Sequence, residues 1–188
     1  MLEEYQKLLE TKNGSSVLLR PLRSSDEQLL HDFLDRIPDQ ERWFLRDDTT
    51  EINATHEWIR TLDYDKVVPL VAVNTVDGAI IANVQLHRPI AECLRHMAHV
   101  RVMVDPSFRR QALGPKLLLS AVKLAMDLGI EKLAAEFVAG IQEPAIKAAL
   151  KLDFFEQARL KDYVKDHNGT YHDLIIMVKT LQADWDDF

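Results

Sequence analysis

The sequence is poor in the residues that build disulfide-rich, collagen-like or linker-dominated proteins. It has one cysteine, Cys93, so an intrachain disulfide framework is excluded. We expect this side chain to be a small buried apolar group. Glycine occurs only six times and proline seven times in 188 residues. No stretch approaches the roughly 18 consecutive apolar residues that a transmembrane helix needs.

The start of the chain lacks the apolar run of a secretory signal. The first ten residues carry three acidic side chains, which a signal peptide would not place there. Together with the single thiol, this predicts a reducing, cytoplasmic setting.

Positive charge is also scarce. The chain has 23 Lys and Arg against 30 Asp and Glu, a formal net charge of −7. This balance weighs against nucleic-acid binding, which relies on basic surface, and we expect neither a nucleic-acid nor a membrane partner. It permits a cationic substrate. With 47% hydrophobic and 28% charged residues, the composition is that of a globular protein.

The pattern along the chain predicts one α+β domain over residues 1–188, with its core at about 17–180 and a tail at 181–188. Strand and helix patterns do not alternate regularly, which predicts a mixed, mostly antiparallel sheet flanked by helices rather than a doubly wound fold. Pro69 predicts that its strand is an edge or carries a bulge. We predict strands at Val17–Pro21, Val67–Val73, Ala79–Leu86, Val100–Val104, Lys132–Val138, 155–165 and 171–180, and helices at 29–37, 53–62, Pro115–Leu128 and Pro144–Leu152.

One segment carries a chemical signal. After the strand that ends at Val104, a loop with Arg109 and Arg110 leads into the helix expected from Pro115. Amides at a helix start are unpaired and favour anions, and arginine adds bidentate contacts. The alternative is an ordinary loop with solvated arginines. The segment has neither the Gly-Lys-Ser/Thr of a nucleotide P-loop nor a three-glycine dinucleotide fingerprint.

This segment resembles the acyl-CoA-binding motif of the GNAT acetyltransferase superfamily, Arg/Gln-x-x-Gly-x-Gly/Ala, which residues Arg109 to Gly114 occupy. Residues 17–26 are similar to the family's opening strand and helix start, and residues 144–154 resemble its late helix and the following strand. The element order also agrees. The resemblance implies a GNAT-like sheet with a splayed strand pair at the cofactor site, and acetyl-CoA as co-substrate.

The resemblance also implies a set of cofactor contacts. The backbone at the end of the splayed strand would pair with the pantetheine arm, and the amides of the loop would cradle the pyrophosphate. The residues expected to bind the cofactor are Val102, Met103, Val104, Arg109, Arg110, Gln111, Ala112, Leu113, Gly114, Pro115, Lys116 and Gln142.

The chain departs from the family pattern at Ala112, Pro115 and Ala149, and also at Gln142, where relatives often have Asn, and at Asp153, where they usually have Gly. Ala112 stands where the first motif glycine usually lies, which is tolerable if its φ is negative. Pro115 removes one amide that would otherwise face phosphate. Ala149 stands where family members often carry the tyrosine that protonates the leaving thiolate. A thiolate can leave with weak help, since the pKa of a free thiol is about 8.5.

Candidates for the missing acid and base are His99, Glu136 and Tyr163. His99 lies just before the expected pantetheine strand, and histidine suits base work near neutral pH. The alternatives are a solvent-facing histidine, a surface acid and a packed strand tyrosine. His87, His96 and His99 lack partner acids at metal-binding spacing, so no metal site is expected.

The function predicted is N-acetyl transfer from acetyl-CoA to an amine, either a small amine or a protein lysine or N-terminus, by direct attack. Ala112, Pro115 and Ala149 leave open a catalytically impaired acyl-CoA-binding or regulatory module as the alternative. The apolar C-terminal strands suggest a weaker third reading, a dimerisation domain, and a homodimer is a possible assembly. The resemblance implies that the aromatic and acidic residues at 43–50 lie over the substrate side, where they could receive an aliphatic amine; the alternative is loop packing with a solvated charge run.

Overall fold

The computed structural model describes residues 4–44 and 57–181, which form two compact units. The first contains Met1–Val84 and Val102–Leu113, and the second contains Gln85–Arg101 and Gly114–Phe188. None of the helices in the described residues combines the length and apolar character needed to cross a bilayer.

The first unit is built on neighbouring strands. Four lie side by side in chain order: β1 (Lys7–Glu10), β2 (Ser16–Pro21), β3 (Val67–Asn74) and the first part of β4 (Ile80–His87). β2 pairs antiparallel with β1 and with β3. The turn into β4 contains Gly78 with φ 75°, a left-handed conformation that favours glycine.

Helices of the first unit cover one face of these strands. α1 spans Glu27–Asp35, α2 spans Asp39–Arg42, and residues 57–60 are helical. The apolar side chains of α1 recur at helical spacing, so one face is buried. They pack in a cluster with residues from the neighbouring loops and strands: Leu22, Leu30, Phe33, Leu34, Ile37, Ile59, Val71 and Ile80.

A buried ion pair fixes the approach to α1. Both terminal nitrogens of Arg20, on β2, donate to the carboxylate of Asp26 at 2.6 and 2.8 Å. Asp26 also accepts from the backbone N–H of Arg23 at 2.7 Å. Both charges are almost fully buried, so each depends on the other for its stability.

The second unit contains a mixed set of strands in the order β5-β6-β8-β7. β5 and β6 are parallel, whereas β8 is antiparallel to both β6 and β7. The strands are β5 (Met97–Val104, up to Arg101 in this unit), β6 (Lys132–Val138), β7 (Phe155–Lys165) and β8 (Tyr171–Thr180). α3 (Leu113–Asp127) and α4 (Glu143–Leu150) accompany them. A continuous stripe of α3 is buried: Leu117, Ala121, Val122 and Ala125.

The predicted fold class is confirmed: the structure is α+β with mostly antiparallel strands and flanking helices. β6, β7 and β8 have the predicted bounds, and β2, β3, β4 and α4 differ from theirs by one or two residues. Two short elements, β1 and α2, were not predicted, because four residues are too few to show a periodicity. The single-domain prediction stays a prediction.

Two expectations are wrong, and one alternative of a third is excluded. β3 is not an edge strand, since it lies between β2 and β4. The bulge that Pro69 also allowed stays a prediction, and the register with β2 ends at Leu70. α3 begins at Leu113 rather than Pro115. Cys93 is exposed, because it lies in a short turn, Glu92–Leu94, whose residues all face solvent. The predicted helix start at 53–56 and the tail beyond Leu181 lie outside the described residues.

Candidate active site

The segment with the chemical signal folds as a strand end, a tight turn and a loop that leads into α3. β5 ends at Val104, and Pro106–Phe108 form one 3-10 turn. The backbone N–H of Asp105 donates to the carbonyl of Ile81 on β4 at 2.9 Å. The loop from Arg109 to Ala112 then reaches the first residue of α3.

Asp105 is the buried anchor of this segment. Its Oδ1 accepts from the backbone N–H of Ser107 at 2.9 Å, and its Oδ2 accepts from Nε of Arg36 at 2.6 Å. Burial opposes ionisation of the Asp105 carboxyl, but the bonds from Arg36 and Ser107 outweigh it and lower its pKa. Asp105 is therefore a buried carboxylate held by two donors.

Arg36 ties α1 to the same point. It follows the last residue of α1, and its terminal nitrogens donate to the carbonyls of Asp32 at 2.8 Å and of Ile80 at 2.7 Å. With the bond to Asp105, one guanidinium connects the helix, β4 and the turn after β5. The direction in which the chain leaves β5 is thereby fixed.

Arg109, predicted as a cofactor contact, has its guanidinium directed at protein groups. Nε donates to the carbonyl of Val104 at 2.9 Å. The two terminal nitrogens donate to the two carboxylate oxygens of Glu41, on α2, at 2.7 and 2.8 Å. This is the parallel, bidentate geometry of the stronger arginine–carboxylate pairs.

Two residues of the loop have left-handed backbones. Arg110 and Ala112 both have a φ of 60°. The condition for an unstrained alanine, a negative φ at position 112, is therefore not met: the loop keeps the conformation that suits glycine and carries a Cβ there. For a residue other than glycine this conformation costs roughly 1–2 kcal/mol. Between them, Gln111 donates from its side chain to the carbonyl of Ser107 at 3.1 Å.

The first residues of α3 leave room at the helix start. Gly114 is the second residue of the helix, and a Cβ built on it meets no atom within 4 Å. Pro115 is the third, so its missing N–H belongs to the first turn, where amides have no partner within the helix. Lys116 is exposed one residue later.

A further cation lies beside the loop. The backbone N–H of Lys12, in the turn between β1 and β2, donates to the carbonyl of Gln111 at 2.8 Å. Two hydrogen bonds close that turn. The Thr11 N–H donates to the carbonyl of Ser15, and the Ser15 N–H donates to Oγ1 of Thr11. The side chains of Lys12 and Arg110 are exposed. Two positive charges from distant parts of the sequence are therefore carried on bonded neighbouring turns.

In the second unit, the parallel ladder between β5 and β6 is short. It runs from Met97 opposite Lys132 to His99 opposite Ala134. Both strands continue beyond that pair, β5 to Val104 and β6 to Val138. The end of the ladder is the feature expected of a splayed strand pair.

The structure brings two of the three catalytic candidates together at the end of this ladder. Glu136 lies two residues beyond Ala134 and therefore on the same face of β6. Its Oε1 is 3.9 Å from Nδ1 of His99, and both side chains are partly exposed. Tyr163 lies elsewhere, exposed on β7, with β8 between its strand and β6.

The residues at the start of α4 and within it are engaged in the fold. Oε1 of Gln142 accepts from the backbone N–H of Val138 at 2.7 Å and closes the turn after β6. Ala149 is fully buried. The position that aligns with the family's tyrosine is therefore filled by a core methyl group, which donates no proton.

Sequence patterns missed Arg36, Glu41 and Lys12. Asp105 is 69 residues from Arg36, and Arg109 is 68 from Glu41, so no local spacing links the pairs. The one available signal was an excess of charge around Asp35–Arg42, which is also typical of a solvated face.

The comparison with known protein families decides the class. The model of the acetyltransferase (GNAT) family matches residues 26–154, well over half of the chain. The chain belongs to the GNAT family. It is an N-acetyltransferase that uses acetyl-CoA as its co-substrate.

Solved structures share the fold of this GNAT protein at low sequence identity. A ribosomal-protein-S5-alanine acetyltransferase from Vibrio fischeri is 16% identical with a TM-score of 0.78, covering 97% of this chain and 99% of that chain. A ribosomal-protein-alanine N-acetyltransferase from Brucella melitensis is 22% identical, with a TM-score of 0.74 and coverages of 87% and 99%. The protein yncA from Salmonella typhimurium, solved with its cofactor acetyl-CoA, is 17% identical, with a TM-score of 0.72 and coverages of 89% and 95%.

Asp105→Asn tests the buried anchor through pH. Because folding lowers the pKa of Asp105, the carboxylate stabilises the protein above its unfolded pKa, and this contribution is lost as pH falls through the folded value. At pH 7 we expect the variant to lose about 1–3 kcal/mol in urea unfolding. Below about pH 4 the gap between the two proteins should narrow. A constant gap would contradict the ionised, paired state.

Ala112→Gly tests the strained loop. Relief of the left-handed strain, less the added entropy of the unfolded chain, should raise the free energy of unfolding by up to about 1 kcal/mol. Ala145→Gly, in the first turn of α4, is the matched control and should lower stability by up to about 1 kcal/mol. Equal losses in both variants would mean that Ala112 does not adopt a positive φ in solution.

Proposed function

We propose that this N-acetyltransferase holds the pyrophosphate of acetyl-CoA on the loop from Arg110 to Gly114. The observation that carries this assignment is the pair of left-handed residues, Arg110 and Ala112, directly before α3. Such turns direct successive amides into one concavity that suits an anion, and the helix start adds unpaired amides and a favourable dipole. The position of Gly114 supports close approach, since it leaves space where a Cβ would otherwise be.

The charge that supports this site comes from exposed side chains. Arg110 lies within the loop, and Lys12 is bonded to it through Gln111. Lys116, on the first turn of α3, is assigned to the same role. These positive groups match a polyanionic cofactor in a protein whose net charge is −7. The other residues assigned to the cofactor are Gln111 and Leu113 within the loop, Pro115 next to it, and Gln142 in the turn after β6.

The end of β5 is assigned to the pantetheine arm. The Asp105 N–H points to Ile81, and in a planar trans peptide the carbonyl of Val104 points the opposite way. The backbone N–H and carbonyl groups of Val102 and Val104 therefore point away from β4, and those of Met103 point towards it. The carbonyl of Val104 already accepts from Arg109. The backbone groups assigned to an extended ligand are therefore the Val104 N–H and the N–H and carbonyl of Val102.

Acetyl-CoA supplies an acetyl group activated as a thioester. In the proposed reaction an amine attacks it directly, and Nε2 or Nδ1 of His99 accepts the proton that the amine loses. The carboxylate of Glu136 lies 3.9 Å from Nδ1 of His99, beside the ring that takes up the proton. The leaving thiolate takes its proton from solvent, since the side chain at position 149 is a buried methyl group.

The acceptor is proposed to be a primary amine, on a small molecule or at a protein lysine or N-terminus. Two of the structural relatives are named for acetylation of a ribosomal-protein alanine, so a peptide with an N-terminal alanine belongs in the first substrate panel, beside a lysine peptide and a polyamine.

The wider setting is also a proposal. The family match runs continuously from residue 26 to 154, through segments of both compact units, which supports one catalytic domain. A free thiol at exposed Cys93 is compatible with a reducing cytoplasm. Exposed aromatic side chains at Phe155, Tyr163 and Tyr171 support a homodimer, which light scattering would test.

Arg110→Ala tests the phosphate site. By titration calorimetry with acetyl-CoA, the loss of one charge-assisted contact should weaken binding about tenfold, and Lys12→Ala should weaken it severalfold. Lys161→Ala, which removes an exposed positive charge from β7, is the control and should bind as the unmodified protein does. Unchanged affinity in Arg110→Ala would place the phosphates elsewhere. Binding without thiol release on the amine panel would favour the impaired module.

His99→Gln tests the proton acceptor. Removal of a general base should lower kcat about 100-fold or more. Acetyl-CoA affinity should not change. His31→Gln removes another histidine beside a carboxylate, 3.4 Å from Asp35 on α1, and should leave kcat unaltered. If His99→Gln keeps most of the kcat of the unmodified protein, another group takes the proton.

A further inference from the structure

We infer that Arg109 is a positioning residue held by Glu41, and that it does not bind the cofactor's phosphates through its side chain. The inference rests on the proposed phosphate site and assigns different tasks to the two adjacent arginines of the loop. Arg110 faces solvent with a left-handed backbone. The guanidinium of Arg109 faces the chain's own oxygen atoms.

The bonds of Arg109 leave it poorly suited to capture a phosphate. Each of its three nitrogens donates to a protein oxygen: Nε to Val104 and the terminal pair to Glu41, at 2.7 to 2.9 Å. A phosphate bound in the usual bidentate way would need the same two parallel N–H groups that Glu41 occupies. The partner carboxylate would then lose its cation and lie beside the phosphate as a second negative charge.

Glu41 is itself fixed by the protein. The backbone N–H groups of Glu41 and Arg42 both donate to the carbonyl of Pro38, at 2.8 and 3.0 Å. Arg42 lies 3.6 Å from Asp35 at the end of α1 and also pairs with Asp39. A connected path of bonds therefore runs from the end of α1, through α2 and Glu41, to Arg109.

The far end of this path is the strand that we assign to pantetheine. Through Nε, Arg109 holds the carbonyl of Val104, which is one residue before Asp105. Arg36 holds Asp105 itself. Arg109 and Arg36 thus hold two consecutive residues, Val104 and Asp105. The backbone groups at the end of β5 and the amides of the loop therefore keep their directions.

The sign of the effect of Glu41→Gln separates this role from direct phosphate binding. If Glu41 positions Arg109, the variant should weaken acetyl-CoA binding about tenfold, because the loop loses its brace. Arg109→Gln should weaken it by a similar factor, and the double variant by no more than the larger single effect. If Arg109 instead contacts phosphate, Glu41→Gln removes the carboxylate that competes for Arg109. The affinity for acetyl-CoA should then stay the same or increase. That result overturns the inference.

The salt dependence of binding provides an independent readout. Contacts to phosphate weaken as salt rises because they are screened. Arg110→Ala should flatten the plot of log Kd against log salt concentration, whereas Glu41→Gln and Arg109→Gln should shift it without changing its slope. A flattened plot for Arg109→Gln overturns the inference. In turnover assays the KM for acetyl-CoA should rise in both brace variants with kcat largely kept.

Glu156→Gln is the matched control. Glu156 makes the same kind of bidentate pair with Arg159 on β7, at 3.0 Å for both bonds. It should leave acetyl-CoA affinity unaltered. Glu41→Asp keeps the charge but shortens the reach, so it serves as a second variant if Glu41→Gln unfolds, and it should also weaken binding. If Arg110→Ala loses binding while Glu41→Gln and Glu41→Asp keep the unmodified affinity for acetyl-CoA, the inference about Arg109 is rejected and the proposed phosphate site is retained. Failure of the unmodified protein to bind acetyl-CoA would reject the phosphate site on which it rests.

Discussion

The arrangement of the cofactor segment depends on one buried negative charge. Asp105 lies between the end of β5 and the loop, and it remains ionised in a buried position only because Arg36 and the Ser107 amide donate to it. A buried charge without such partners would be strongly destabilising. The need to satisfy this carboxylate therefore brings the end of α1 to the strand, closes the turn at Pro106 and sets the path of the chain towards α3.

The two arginines of the motif illustrate how the same residue type serves two purposes in adjacent positions. The residue after Arg109, Arg110, has a left-handed backbone, so the side chains of the two arginines point into different surroundings. One meets Glu41 and Val104, and the other meets solvent. If the loop binds the cofactor as proposed, its affinity depends on the rigidity of its amides as well as on the number of exposed cations.

Much of the fold was predictable because its strands, turns and helices depend on residues that are close together in the sequence. The apolar residues of β6, the turn at 166–169 between β7 and β8, and the apolar stripe of α3 each occupy a short stretch of the sequence. The loop that we propose as the phosphate site was identified in the same way, as a short motif after a strand. The contacts that make it a site were not predictable: Arg36 and Glu41 are brought in by the packing of α1 on the first unit, and the φ of Ala112 depends on the whole turn. His99 and Glu136 were proposed separately, and only the β5–β6 register places them side by side.

The opposed directions of the Asp105 N–H and the Val104 carbonyl make β5 intolerant of changes in length. Relative to the ladder at His99, a single residue inserted or deleted directly after that ladder would invert every following position of the strand up to Asp105. The backbone groups of Val102 would then face β4, and those of Met103 would take their place, while the side chain of Met103 would leave the core cluster that it now contacts. Point substitutions along this strand alter single contacts, whereas an indel would exchange its two edges at once.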